Sequence, residues 1–153
     1  MMSKSSEAPV GQLLEWFVKY RQLRMAAVRR LDIRAANRHV FLASAAAADL
    51  VATPQGRSAV EGLLSHPDIH LRVDAGMLII DWAPEKVVPL FGQLLDADLS
   101  AIGSREERLE IKLDAAEWLY RHFGIRNGDR NALIEPLKAY GVALAYRDPA
   151  KWQ

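Results

Sequence analysis

The stretch that decides the fold is Arg57 to Leu95, RSAVEGLLSHPDIHLRVDAGMLIIDWAPEKVVPLFGQLL. It reads as helix, tight turn, helix, tight turn, helix. Ser65-His66-Pro67-Asp68 is a turn whose Asp68 can cap the next helix, and Pro84 suits the first position of the one after. The middle segment recurs. Laying LRVDAGMLIIDW (Leu71–Trp82) over IKLDAAEWLYRH (Ile111–His122) pairs Leu with Ile, Arg with Lys, Val with Leu, Asp with Asp, Ala with Ala and Gly with Ala, at an offset of 40 residues. Paired-helix repeats of the HEAT and armadillo kind have periods of roughly 40–47 residues. The fold expected from this is all-α, a short HEAT/ARM-like alpha-alpha superhelix of antiparallel helix pairs. Leu71, Ala75, Ile111 and Ala115 should lie inside it.

Outward toward the N-terminus, Thr53-Pro54 is a cap followed by proline at the first helical position, opening a short helix to Leu64 that buries Val60, Leu63 and Leu64. Before it, Val10, Leu13, Leu14, Phe17, Tyr20, Ala27 and Leu31 recur at helical spacing and make one apolar stripe. Asp32 can cap a second helix reaching about Ala52 through FLASAAAADL; one long helix over 10–52 is the alternative. Outward toward the C-terminus, Asp68–Trp82 buries Leu71, Ala75, Leu78 and Ile79, and Pro84–Leu95 should kink at Pro89. Asp96–Ser104 is a loop. Ser104 and Glu107 have capping-box spacing and begin a helix to Phe123 that buries Leu109, Leu113, Ala116 and Leu119 or Tyr120, with Gly124 as its stop. After a turn at Arg126–Arg130, a proline-interrupted helix from Asn131 to Tyr146 closes the array. The expected organisation is a single helical-repeat domain, 9–147, between a disordered N-terminal tail, 1–8, and a C-terminal tail, 148–153.

Composition bounds the chemistry. A chain of 153 residues, half of them hydrophobic and a quarter charged, has the balance of an ordinary globular domain. With no cysteine there is no disulfide framework, thiolate metal site or thiol nucleophile. MMSKSSEAPVGQ lacks the apolar core of a secretory signal, and no apolar run is long enough for a membrane span, so a cytoplasmic location is expected. Charge is unevenly placed: residues 1–60 carry nine Lys/Arg against four Asp/Glu, while residues 61–121 carry six against twelve. A basic first third beside an acidic middle points to oriented binding surfaces.

The residues that built the repeat also carry a family likeness. Gly56-Arg57, Leu63, Leu64, His66-Pro67, Leu71-Arg72, Ala75 and Ala83-Pro84-Glu85, with Asn37-Arg38 upstream, resemble the bacterial domain-of-unknown-function family numbered twenty-nineteen. The similarity covers roughly Leu13 to Phe123, and Gly76 departs from it where the family has a second alanine. The resemblance implies a HEAT-like fold, no established enzyme activity and no cofactor. Some HEAT-like bacterial proteins of this size act as immunity proteins to toxins, which sets the functional expectation.

That expectation is a non-enzymatic protein–protein interaction module. In its most concrete form it is an immunity or antitoxin-type inhibitor that meets a basic toxin through an acidic concave face of Asp74, Asp81, Asp114 and Glu117. Asp74 and Asp114 are repeat equivalents, while Asp114, Glu117 and Arg121 share a helix face. The competing account is an ordinary solvated face. Arg72 and Lys112, also equivalent, read as structural bridges between repeats. The alternative function is nucleic-acid binding through Arg21, Arg24, Arg34 and Arg38, with Trp16, Phe17 and Tyr20 as a stacking platform. A third, weaker reading is enzymatic: Trp82, Trp118 and Asp81 are superficially similar to the DNA-binding face of HEAT-like alkylpurine DNA glycosylases. No carboxylate pair is marked for acid–base work, so no catalytic residue is assigned. His66 and His70 have metal-ligand spacing, but Pro67 breaks the helix and no third ligand follows; no metal is expected.

Overall fold

The computed structural model describes residues 8–151. The protein is all-α: among these residues there is no strand, and seven α-helices are joined by short turns and 3-10 segments. They are α1 (Val10–Arg29), α2 (Ile33–Val51), α3 (Pro54–Gly62), α4 (Ile69–Ile79), α5 (Pro84–Leu94), α6 (Arg105–Phe123) and α7 (Ile134–Lys138). Residues 1–7, 152 and 153 of the expected tails lie outside the described residues, and Pro149–Lys151 forms a 3-10 turn. The chain divides into two compact units, with the boundary between Leu78 and Ile79 at the end of α4.

In the first unit, α1 and α2 form an antiparallel hairpin, not one long helix. Asp32 makes the break: its carboxylate accepts the Ala35 N–H at 3.1 Å, capping α2. Just before it the Leu31 N–H reaches the Val28 carbonyl at 3.0 Å and the Asp32 N–H reaches Ala27 at 2.9 Å. That pair of bonds is a Schellman motif, which places Leu31 at the left-handed position (φ 60°) usually given to glycine. The stripe expected to end on Leu31 therefore stops at Ala27: Leu31 is 86 % exposed, while Leu13, Phe17, Met25 and Ala27 are buried. The alanines of α2 (Ala35, Ala36, Ala43, Ala46, Ala47) face inward and let α1 approach closely. Thr53 caps α3 by accepting the Gly56 N–H at 3.0 Å. Gly56 is required there, because a Cβ would meet the Leu50 carbonyl oxygen at 1.9 Å. His66 Nδ1 accepts the Asp68 N–H and Asp68 accepts the His70 N–H, each at 2.9 Å, so these residues build the turn into α4.

In the second unit α5 opens on Pro84 and continues through Pro89 to Leu94. The N–H that Pro89 lacks would have met the carbonyl of Glu85, an exposed residue that water can serve. Ser104 caps α6 by accepting the Glu107 N–H at 3.2 Å, and Gly124 (φ 70°) ends it. The final helix is shorter than its pattern predicts. A 3-10 turn at Arg130–Leu133 leads into α7, and Gly141 (φ 77°) closes a Schellman motif through Val142 N–H to Leu137. Beyond it the chain has no regular secondary structure, and buried Val142 and Leu144 alternate with exposed Gly141, Ala143 and Ala145. Side chains hold this strap: Asn131 exchanges two hydrogen bonds with the Arg147 backbone, at 2.7 and 3.0 Å.

The repeat defined from the sequence predicts burial correctly. Leu71, Ala75, Ile111 and Ala115 are all at most 2 % exposed. Expecting Leu109 and Leu113 in the core was an error, since they are 54 % and 59 % exposed. Residues two apart on a helix point about 200° apart. The side of α6 that buries Ile111, Ala115 and Leu119 must therefore turn Leu109 and Leu113 outward.

Candidate functional site

The outward side of α6 is the most distinctive surface of the second unit. Leu109, Leu113, Ala116 and Tyr120 follow one another at spacings of four, three and four, which is an apolar seam along a helix. Together with Leu95 they line an open groove of about 960 Å³. The same groove is lined by four cationic side chains, Arg105, Lys112, Arg130 and Arg147, and by one carboxylate, Glu117. A smaller hollow of about 350 Å³, formed with Asp98 and Leu99, shares Arg105, Leu109 and Lys112 with it, so Leu109 borders both. Arg108 fixes the start of the helix by donating to the carbonyls of Ile102 and Gly103 at 3.1 and 3.0 Å.

The groove's permanent charge comes from Arg130 and Arg147. Both donate to Oδ1 of Asp96, Arg147 at 3.0 Å, and Asp96 Oδ2 accepts the Ala145 N–H at 3.4 Å. Burial acts to raise the Asp96 pKa. The Arg130 hydrogen bond, the Ala145 N–H and the charges of Arg130 and Arg147 outweigh it, and the carboxyl titrates below its ordinary value. Two guanidiniums against one carboxylate leave a net positive charge at this end. Arg130 is buried, which makes that charge a fixed feature of the groove. Tyr120 is held neutral: burial raises its phenol and the Asp129 charge adds to that, while Arg130 opposes both. Asp98 is lowered mainly by the Ser100 N–H, which sits 2.9 Å from its Oδ1.

Asp74, from the acidic set, and Arg21, from the basic set, are bound to each other. Arg21 Nε and one terminal nitrogen donate to the two carboxylate oxygens at 2.7 and 2.5 Å, with both side chains mostly buried. Neither charge is open to a partner. Asp81 is exposed just past the end of α4, Asp114 is half-buried with an interaction of its own, and Glu117 pairs with Arg121 at 2.8 Å. Arg121 also lies over the Trp118 ring, 5.0 Å from its centroid, covering one of the aromatics of the enzymatic reading. Arg24 is half-buried and engaged, whereas Arg34 and Arg38 stand exposed on α2. Phe17 is buried and Tyr20 stacks on His39 at 6.3 Å, so the expected stacking platform is largely inside. Of the expected repeat bridges, Arg72 has its Nε buried without a hydrogen bond, and Lys112 faces Asp98 electrostatically.

Two features of the groove escape a reading of the sequence. Helical spacing alone assigns Leu109 and Leu113 to the core, although the repeat alignment already puts Ile111 and Ala115 there. Arg130 and Arg147 read as turn and tail residues; only the strap brings them together on Asp96. Among the described residues no group of histidines and carboxylates is arranged to hold a metal ion. No protein-family model, no curated protein and no solved structure matches the chain.

Proposed function

We propose that the protein is a non-enzymatic interaction module that takes an amphipathic helix of a partner protein along α6, with the partner's acidic residues meeting Arg105, Lys112, Arg130 and Arg147. One observation carries this reading. The seam Leu109, Leu113, Ala116, Tyr120 corresponds, 40 residues earlier, to Ile69, Val73, Gly76 and Ile80, all of which are buried. The first copy of the repeat is covered on this side, whereas in the second Leu109 and Leu113 are exposed and Ala116 and Tyr120 half-buried. An apolar helix face with charged flanks is what a partner helix packs against. Covering the two leucines is worth about 1 kcal/mol each, and the cations select the sign of the partner and speed its capture.

The partner chemistry differs from the basic toxin suggested by the acidic middle third. Asp74 is spent on Arg21 and Glu117 on Arg121; around the groove four cations face two carboxylates, Glu117 and the Asp96 that Arg130 and Arg147 share. An inhibitor of the immunity type would then act by holding an acidic helical segment of its target. The test uses two labelled 18-residue amphipathic peptides with the same leucine seam, one flanked by glutamate and one by lysine, titrated by fluorescence anisotropy. The glutamate peptide should bind at least tenfold more tightly, and Leu113→Asp, at an exposed position where circular dichroism should show the fold unchanged, should abolish its binding. Equal affinity for both peptides, or binding unchanged by Leu113→Asp, rejects the groove. A concentration-dependent dimer lost in Leu113→Asp would show that a second copy covers it instead.

A further inference from the structure

The corner between α1 and α2, in the first unit, is built against the usual rules for a solvated turn. Three large apolar side chains stand out at it and along the helix that follows: Leu31 at 86 %, Ile33 at 73 % and, two turns into α2, Phe41 at 73 % exposure. Among the described residues the chain closes three Schellman turns, each with both hydrogen bonds and a positive φ, at Leu31, Gly124 and Gly141. Two use glycine, for which the left-handed conformation is free. The third uses a branched residue that is disfavoured in that conformation and almost wholly in water. Nothing in the first unit's own packing accounts for a leucine at that place.

Along the exposed face of α2 the charges have one sign. Ile33, Arg34, Asn37, Arg38 and Phe41 fall within about 140° of arc on α2 at 100° per residue, and all five are exposed. No carboxylate falls among them. Asp32, the acid at the corner, spends one oxygen on the Ala35 N–H, and its other lies 3.6 Å from Arg30. We propose that this corner docks on an anionic lipid surface: Leu31, Ile33 and Phe41 enter the boundary between headgroups and acyl chains, while Arg34 and Arg38 meet lipid phosphates. The contact lies in the plane of the interface, and no helix among the described residues is long and apolar enough to cross a membrane.

A nucleic acid would use the same arginines and could stack one base on Phe41, but it gains nothing from Leu31 and Ile33, which have no face for a base. Of the aromatics on α1, Phe17 is buried, Tyr20 is engaged with His39 and Trp16 is half-buried. Two aliphatic tips and one aromatic, with arginines between them, suit a fluid surface that takes up all three.

The test is sedimentation of the whole chain with sucrose-loaded vesicles, either pure phosphatidylcholine or with three parts in ten phosphatidylserine. Partition onto the anionic vesicles should exceed that onto neutral ones at least tenfold and weaken with salt. The double variant Leu31→Ser with Ile33→Ser should lower it tenfold, as should Arg34→Gln with Arg38→Gln. Leu31→Gly separates docking from folding, since it relieves the backbone and should raise the melting temperature while lowering partition. No partition at low salt overturns the proposal. So does partition indifferent to the serine variants, tighter salt-sensitive binding of a 20-nucleotide single strand, or a dimer that the serine variants dissolve.

Discussion

Helices α4 and α6 are two copies of one pattern with different surroundings. Both bury the same pair of positions, Leu71 with Ala75 and Ile111 with Ala115. On the opposite side they diverge: Ile69, Val73 and Ile80 are buried in α4 and the residue just after it, while Leu109 and Leu113 are open in α6. Of their repeat-equivalent aspartates, Asp74 is locked in a bidentate pair with Arg21, and Asp114 is half-buried and engaged as well. A repeat fixes which residues face the interior. Whether the other side is covered depends on what the rest of the chain supplies, and the pattern itself does not encode that. This is why an apolar residue in a repeat can be core in one copy and a docking surface in the next.

The comparison can be broken most directly in the shared interior. Leu71→Ala and Ile111→Ala each remove a fully buried branched side chain, and each should cost about 3 kcal/mol in urea unfolding. A cost confined to one copy would mean that the two are not equivalent. Next comes the divergent side: Val73→Ala should cost about 2 kcal/mol, whereas Leu113→Ala should stay within about 0.5 kcal/mol. A large loss from Leu113→Ala would show that this side of α6 is structural after all. The polar contrast is similar in size. Asp74→Asn leaves a mostly buried guanidinium short of its counter-charge and should cost about 2 kcal/mol, somewhat below a fully buried pair because some water reaches it. Glu117→Gln breaks an exposed i, i+4 pair and should be nearly silent, within about 0.5 kcal/mol.

Much of the fold was legible because its signals are local. Thr53-Pro54, Ser104 with Glu107, and Gly124 mark helix ends through bonds made within a few residues. Asp32 likewise separates α1 from α2 through its own carboxylate. Leu31 misleads because a leucine at helical spacing looks like core, while its position is set by the reversal of the chain one residue later. The last helix is overextended by its pattern because Gly141 sits in a run that otherwise continues, and the strap beyond it is held by Asp96 and Asn131 from distant parts of the chain. The groove is hidden for a related reason. Its lining side chains come from α6, Leu95, the 128–130 turn and Arg147, which no spacing rule connects.

The smallest expected effect concerns the clamp beneath the groove, and its sign follows from Asp96. That carboxyl titrates below its ordinary value of 3.8 in the folded chain because Arg130 and Arg147 favour its charged form over the opposing effect of burial. The unfolded state, with a pKa near the ordinary ~3.9, binds the proton more readily than the folded state does. The stabilisation is therefore complete above the ordinary carboxylate range and is lost as pH falls through the lower, folded value. In Asp96→Asn this contribution is absent at every pH. The wild-type advantage in urea midpoint should be present at pH 7 and narrow as the pH drops below about 4. Binding of the glutamate-flanked peptide should respond differently, because a neutral amide at this position frees both guanidiniums and should strengthen it at pH 7. A variant that loses stability and peptide affinity together would mean that Asp96 holds the groove open, and that the strap and the seam are one element.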